Sequence, residues 1–93
     1  MILGKFKQQP RERIPYSIRY DEALSSSDLL ESVVGSIFPS DGVISDVLFT
    51  ANRVRWFVSG LTDGVQYTVT MLVSTEDGTI FEDEVHITGK EVS

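Results

Sequence analysis

Leu61-Thr62-Asp63-Gly64-Val65-Gln66-Tyr67-Thr68-Val69-Thr70-Met71-Leu72-Val73-Ser74-Thr75 carries the clearest signal in this 93-residue chain. A turn from Gly60 to Gly64 opens it. Alternation follows: Val65, Tyr67, Val69, Met71 and Val73 fall on one side, and Gln66, Thr68 and Thr70 on the other, with Leu72 the exception. A period of two is the mark of a strand with one buried face, because successive side chains point to opposite sides of the pleat. Glu76-Asp77-Gly78 then supplies hairpin chemistry, and Thr79–Thr88 returns as a second strand with Phe81, Val85 and Ile87 inward. Asp83 shares that inward parity, which predicts a bulge or an open end beside it.

The same period extends upstream. Arg53–Ser59 places Val54, Trp56 and Val58 on one face and Arg53, Arg55 and Phe57 on the other. Trp56, the sole tryptophan, is the expected core anchor. Val43–Ala51 reads as a strand closed by a tight turn at Ala51-Asn52, where Asn52 tolerates positive φ. Glu31–Phe38 is richer in β-formers than in helix formers and ends at Pro39-Ser40-Asp41-Gly42, a turn. Asp28 is a candidate cap for a helical turn at Leu29-Leu30-Glu31. Ile14, Tyr16, Ile18 and Tyr20 alternate with Pro15, Ser17 and Arg19, and Pro15 marks that strand as an edge, since it cannot donate to a ladder. Six to seven short strands with turns between them predict an all-β chain: a β-sandwich over 13–90, preceded by a flexible N-terminal arm over 1–12. A small closed barrel is the competing architecture. The tail Gly89–Ser93 is expected to fray.

Composition narrows the chemistry. The chain has no cysteine and one histidine, so disulfides, thiolate metal sites, cysteine nucleophiles and multi-histidine metal sites are excluded. No apolar run exceeds three residues, which leaves no membrane helix and no signal-peptide core, and points to synthesis in a cytoplasm. The net charge of −6 is unevenly distributed. Residues 1–20 carry +4 and residues 21–93 carry −10. An acidic body repels nucleic acid, because binding there depends on cationic groups replacing counterions. Lys5, Phe6, Lys7, Arg11 and Arg13 suit an arm that docks on an acidic partner, so removing residues 1–12 is expected to spare the fold and abolish assembly. Arg53, Arg55 and Phe57 form a second candidate partner surface, since arginine and aromatic residues are enriched where proteins dock.

Catalytic patterns are absent. His86 falls mid-strand on the outer face, and no Gly-x-Ser-x-Gly elbow is present. Glu82 and Glu84 form an outward acidic stripe beside it, which discourages edge-to-edge aggregation. Asp21, Glu22 and Asp28 frame the first loop without the spacing of a calcium hand. The sequence therefore predicts no enzyme, no cofactor and no metal.

Two resemblances go further. Leu61, Gly64 and Tyr67 resemble the tyrosine corner of fibronectin type III and immunoglobulin-like domains, with Asp63 where proline is usual. That implies an Ig-like sandwich in which the Tyr67 hydroxyl bonds back to the loop entering its strand, and it gives Leu61, Gly64, Tyr67 and the core Trp56 structural roles. More broadly, residues 10–90 are similar to small Ig-like virion proteins of tailed bacteriophages. The shared features are the strand Ile14-Pro15-Tyr16-Ser17-Ile18-Arg19-Tyr20-Asp21, the segment Leu24-Ser25-Ser26-Ser27-Asp28, the unit Ser59-Gly60-Leu61-Thr62-Asp63-Gly64-Val65-Gln66-Tyr67, and the turn Thr75-Glu76-Asp77-Gly78. This resemblance implies a connector or fibre–tail adaptor in the virion. Its implied partners are portal, neck, tail or fibre subunits, contacted by copies in a symmetric ring. Two departures stand out: Glu22-Ala23-Leu24 replaces a common aromatic, and the last strand is unusually acidic. A carbohydrate-binding or host-adhesion module is the alternative; it needs an exposed aromatic platform, for which Phe57 and Tyr20 are the candidates.

Overall fold

Alternating side chains become two sheets in the computed structural model, which describes residues 2–91. Its seven strands are β1 (Ile2–Gln8), β2 (Ile14–Arg19), β3 (Leu30–Phe38), β4 (Val43–Phe49), β5 (Arg53–Ser59), β6 (Gln66–Thr75) and β7 (Ile80–Gly89). One sheet runs β1-β7-β6-β3 and the other β2-β5-β4. No helix occurs among the described residues. The architecture is the expected all-β sandwich, and Pro15 does lie on an edge strand.

The core sits between the sheets and follows the parity of the sequence. Val54, Trp56 and Val58 from β5 are fully buried against Tyr67, Val69, Met71 and Val73 from β6 and Val85 and Ile87 from β7. Each such side chain contributes about 1.5–3 kcal/mol relative to exposure. The Trp56 indole nitrogen is buried with no hydrogen-bond partner, so this residue anchors by volume alone.

The flexible arm is corrected. Ile2–Gln8 is a strand that pairs in parallel with β7, from Ile2 opposite Glu84 to Gln8 opposite Gly89. Its fastening is Gln8, which is 2% exposed. The Gln8 amide donates to the Val58 carbonyl at 2.8 Å and to the Glu12 carbonyl at 3.0 Å, and accepts from the Tyr16 hydroxyl at 2.9 Å. A buried amide with every bond made ties the end of one sheet to the other. Phe6, though 46% exposed, meets Tyr16 edge-on at 5.3 Å, and Tyr16 in turn stacks on Trp56 at 6.2 Å.

One smaller expectation holds and three change. Beside Asp83 the expected irregularity is present on the β1 side, where the register slips between Ile2 and Gly4 opposite Glu84 and Val85; the β6–β7 register is unbroken, and the buried carboxylate is held by the Tyr20 hydroxyl at 2.6 Å. Burial and this bond raise the Tyr20 pKa. Further register shifts lie in β3, between Leu30 and Ser32, and in β4, between Ser45 and Leu48, where Asp46 takes φ 51°. Asp46, not Asn52, is the non-glycine residue with positive φ among those described. Asp28 caps no helix; its carboxylate accepts from the backbone N–H groups of Leu29 and Asp77, pinning the β6–β7 turn. The tail is fastened as far as Glu91, because Lys90 N–H donates to the Gln8 carbonyl and Glu91 N–H to the Asp63 carboxylate. Met1, Val92 and Ser93, part of the expected arm and tail, lie outside the described residues.

Candidate functional site

Two surfaces gather the residues singled out in the sequence. The first is the outer face of the three-stranded sheet. On β5, parity sends Arg53, Arg55 and Phe57 outward, and on β2 it does the same for Pro15, Ser17 and Arg19. The register sets Pro15 opposite Phe57, Ser17 opposite Arg55 and Arg19 opposite Arg53. Arg13, just before β2, places its guanidinium 3.7 Å from the centroid of the Phe57 ring, and Arg55 approaches the same ring at 5.2 Å. A cation over an aromatic face is held by the ring quadrupole, at about 0.5–1 kcal/mol where exposed. Arg13 also pairs with the Asp46 carboxylate, which the β4 irregularity turns towards it. Four expected residues from two segments thus meet on one face: Arg13, Arg53, Arg55 and Phe57.

The same irregularity adds residues that sequence reasoning missed. Leu48 is placed opposite Arg55, with 65% of its surface exposed, and Phe49 follows it, also exposed. With Pro15 and Ser17 they border a shallow groove that Arg53 and Arg55 line. A strict alternation from Val43 cannot place Leu48; the positive φ at Asp46 breaks it, and an aspartate inside a run of β-formers is only a weak signal of that conformation.

The second surface is the β1 edge. Lys5 and Lys7 stand opposite His86 and Thr88 of β7, on the outer face of the four-stranded sheet. His86 contacts Glu84 through Nε2 at 3.3 Å and Gln66 through Nδ1 at 3.4 Å. Phe6 faces the other way, into a groove between β1 and β2 with Leu3, Tyr16, Ile18 and Val85. Arg11 sits in the exposed turn between the two strands. The predicted arm therefore splits: Lys5 and Lys7 lie on one sheet, Arg13 on the other.

Beneath these surfaces Tyr67 is wholly buried and Leu61 nearly so, while Gly64 takes φ +82° in the turn. The Thr62 N–H donates to the Tyr67 hydroxyl oxygen at 2.8 Å, and that hydroxyl donates to the Asp41 carboxylate at 2.8 Å. Thr62 Oγ1 donates to the same carboxylate oxygen, also at 2.8 Å. These bonds hold the Asp41 carboxyl below its ordinary pKa. Asp41 joins the β3–β4 turn to the loop before β6, a role its place in a turn motif did not reveal.

Fold and surface define a small two-sheet β-sandwich module that displays arginine and aromatic side chains on one face. The chain belongs to the family described as podophage GP4 fiber-tail adaptor protein gp77, whose model matches residues 8–88. It is thus a virion-associated phage protein of the structural connector kind. No curated protein matches the chain.

Proposed function

We propose that this protein is a non-enzymatic connector that joins tail-fibre subunits to the phage tail, with several copies arranged symmetrically. The family match over residues 8–88 carries this reading. The surface chemistry supports it. Arg13, Arg53, Arg55 and Phe57 form one docking patch, and Lys5 and Lys7 on the β1 edge form another, with Phe6 on the opposite side of that edge. Arg11 extends the basic rim between them. Two such surfaces suit a connector, and the residues proposed for them belong to different sheets. Weak contacts repeated around a symmetric assembly add to a firm attachment.

The carboxylates of the chain also support a non-catalytic role. Asp28, Asp41 and Asp77 are occupied in holding turns. Nucleic acid and membrane are poor partners for a chain carrying −6. A glycan platform is disfavoured because the Arg13 guanidinium already covers the Phe57 ring, and Tyr20 is buried.

Electron microscopy of particles from phage lacking this gene tests the proposal. Tails without fibres are expected, with fibres restored by the gene supplied in trans. Fully fibred tails in its absence overturn the reading.

A further inference from the structure

We infer that the groove on the outer face of the three-stranded sheet receives an acidic peptide segment of a neighbouring virion protein, whose carboxylates pair with Arg53 and Arg55 while an apolar side chain rests on Leu48 and Phe49. The inference rests on the connector reading above and names the chemistry of the partner.

Charge is the first argument. The outward side chains of β2 and β5 include Arg19, Arg53 and Arg55, and Arg19 stands directly opposite Arg53. Like charges in that position are destabilising. Arg13 is neutralised by Asp46 and Arg19 by Asp21. Arg53 reaches only the Ser17 hydroxyl, at 3.5 Å, and Arg55 only the Phe57 ring. Among the described residues neither has a carboxylate partner, although the chain holds fourteen acids to eight bases. Two adjacent guanidiniums left without a counter-charge in an acidic protein form a site for an external anion. Their planar forks match carboxylate geometry.

Shape is the second. The β4 irregularity turns Leu48 outward beside Arg55, and Phe49 and Pro15 extend the apolar border of the groove. Exposed apolar side chains framed by guanidiniums suit a segment that carries both apolar and acidic groups, and arginine is among the residues that carry most of the affinity at protein interfaces. A DNA backbone is a worse fit. It presents a charge about every 1.7 Å and calls for an extended basic stripe, not two arginines on an acidic body.

Fluorescence anisotropy of the full chain with a labelled short peptide alternating glutamate and leucine tests the proposal. Its glutamine–leucine counterpart and a short DNA duplex serve as competing probes. The glutamate peptide should bind in preference to both. Arg55→Glu and Arg53→Glu should each weaken it by about tenfold or more, the loss expected of a charge-assisted pair. Arg55→Lys, which keeps the charge but loses the fork, should fall between. Circular dichroism melts establish that each variant is folded. Equal binding of the glutamine peptide, stronger binding of the duplex, or insensitivity to both reversals overturns the inference. The doubly reversed protein, supplied to phage lacking the gene, separates the two readings. Fibre loss on deletion but full rescue by the reversed protein sinks the acidic-segment site and leaves the connector standing. Retention of fibres on deletion sinks the connector itself.

Discussion

Tyr67 shows how one side chain can hold three stretches of backbone. Its ring fills the core, and its hydroxyl links the Thr62 N–H to the Asp41 carboxylate. Tyr67→Phe keeps the ring and leaves both partners short of a bond. The expected loss is about 1–2 kcal/mol, read from urea unfolding. Gly89 is constrained by proximity: a Cβ there would lie 2.3 Å from the Thr62 carbonyl oxygen. Gly89→Ala should therefore force the tail away from the Tyr67 loop and lower the melting temperature by several degrees, about 1–3 kcal/mol of overpacking. Asp77 offers a pH test. Its carboxylate accepts from the Thr75 and Thr79 hydroxyls and the Thr79 N–H, which lowers its pKa from 3.8 to about 2. A depressed folded pKa adds stability that is complete above the unfolded value and disappears as pH falls through the folded one. Urea midpoints should thus drop between about pH 4 and pH 2, and Asp77→Asn should flatten that limb. The corner was legible because Leu61, Gly64 and Tyr67 fall at local spacing. Asp41 was not, because its partners lie 21 and 26 residues further along the chain.

Among the elements, those with a buried face and strict alternation were legible, and β5 and β6 were the plainest. β1 was not. Lys5 and Lys7 beside Gly4 and Pro10 look like a solvated segment. Only the long-range pairing with β7, and the buried Gln8 amide, make it a strand. An edge strand that pairs in parallel with a distant element leaves little local signature, since its neighbour supplies both the hydrogen bonds and the covered face. The consequence reverses the expectation for truncation. Removing residues 1–12 uncovers one edge of β7 and strips the Val58 carbonyl of its Gln8 donor. The truncated protein should be markedly less stable, and aggregation should follow from the newly bared strand edge. Loss of soluble protein on gel filtration, with a lower melting temperature for what remains, is the expected outcome; a melt identical to that of the full chain would return residues 1–12 to the status of a free arm.

At the scale of the whole molecule, the charge split seen in the sequence survives in altered form. The basic N-terminal region does not project as one arm. It divides between the sheets, Lys5 and Lys7 to the four-stranded one and Arg13 and Arg19 to the three-stranded one, where Arg53 and Arg55 join them. The chain is about 48 Å long and 20 Å across, so separate faces can be occupied without collision. If a tail subunit and a fibre subunit each take one face, their contacts are independent. Lys5→Glu with Lys7→Glu should then abolish capture of one partner and leave the other, and Arg53→Glu with Arg55→Glu should do the reverse. Combining the two sets should add their effects, because sites with no shared contacts do not couple. The measurement is co-purification of each variant with the separately purified tail and fibre proteins of the same phage, at low and high salt. Salt should weaken both contacts, since exposed charge pairs are screened beyond about 10 Å at 0.1 M ionic strength. Loss of the same partner in both charge-reversed sets means the two faces form a single interface, and the division between faces then fails while attachment itself can still stand.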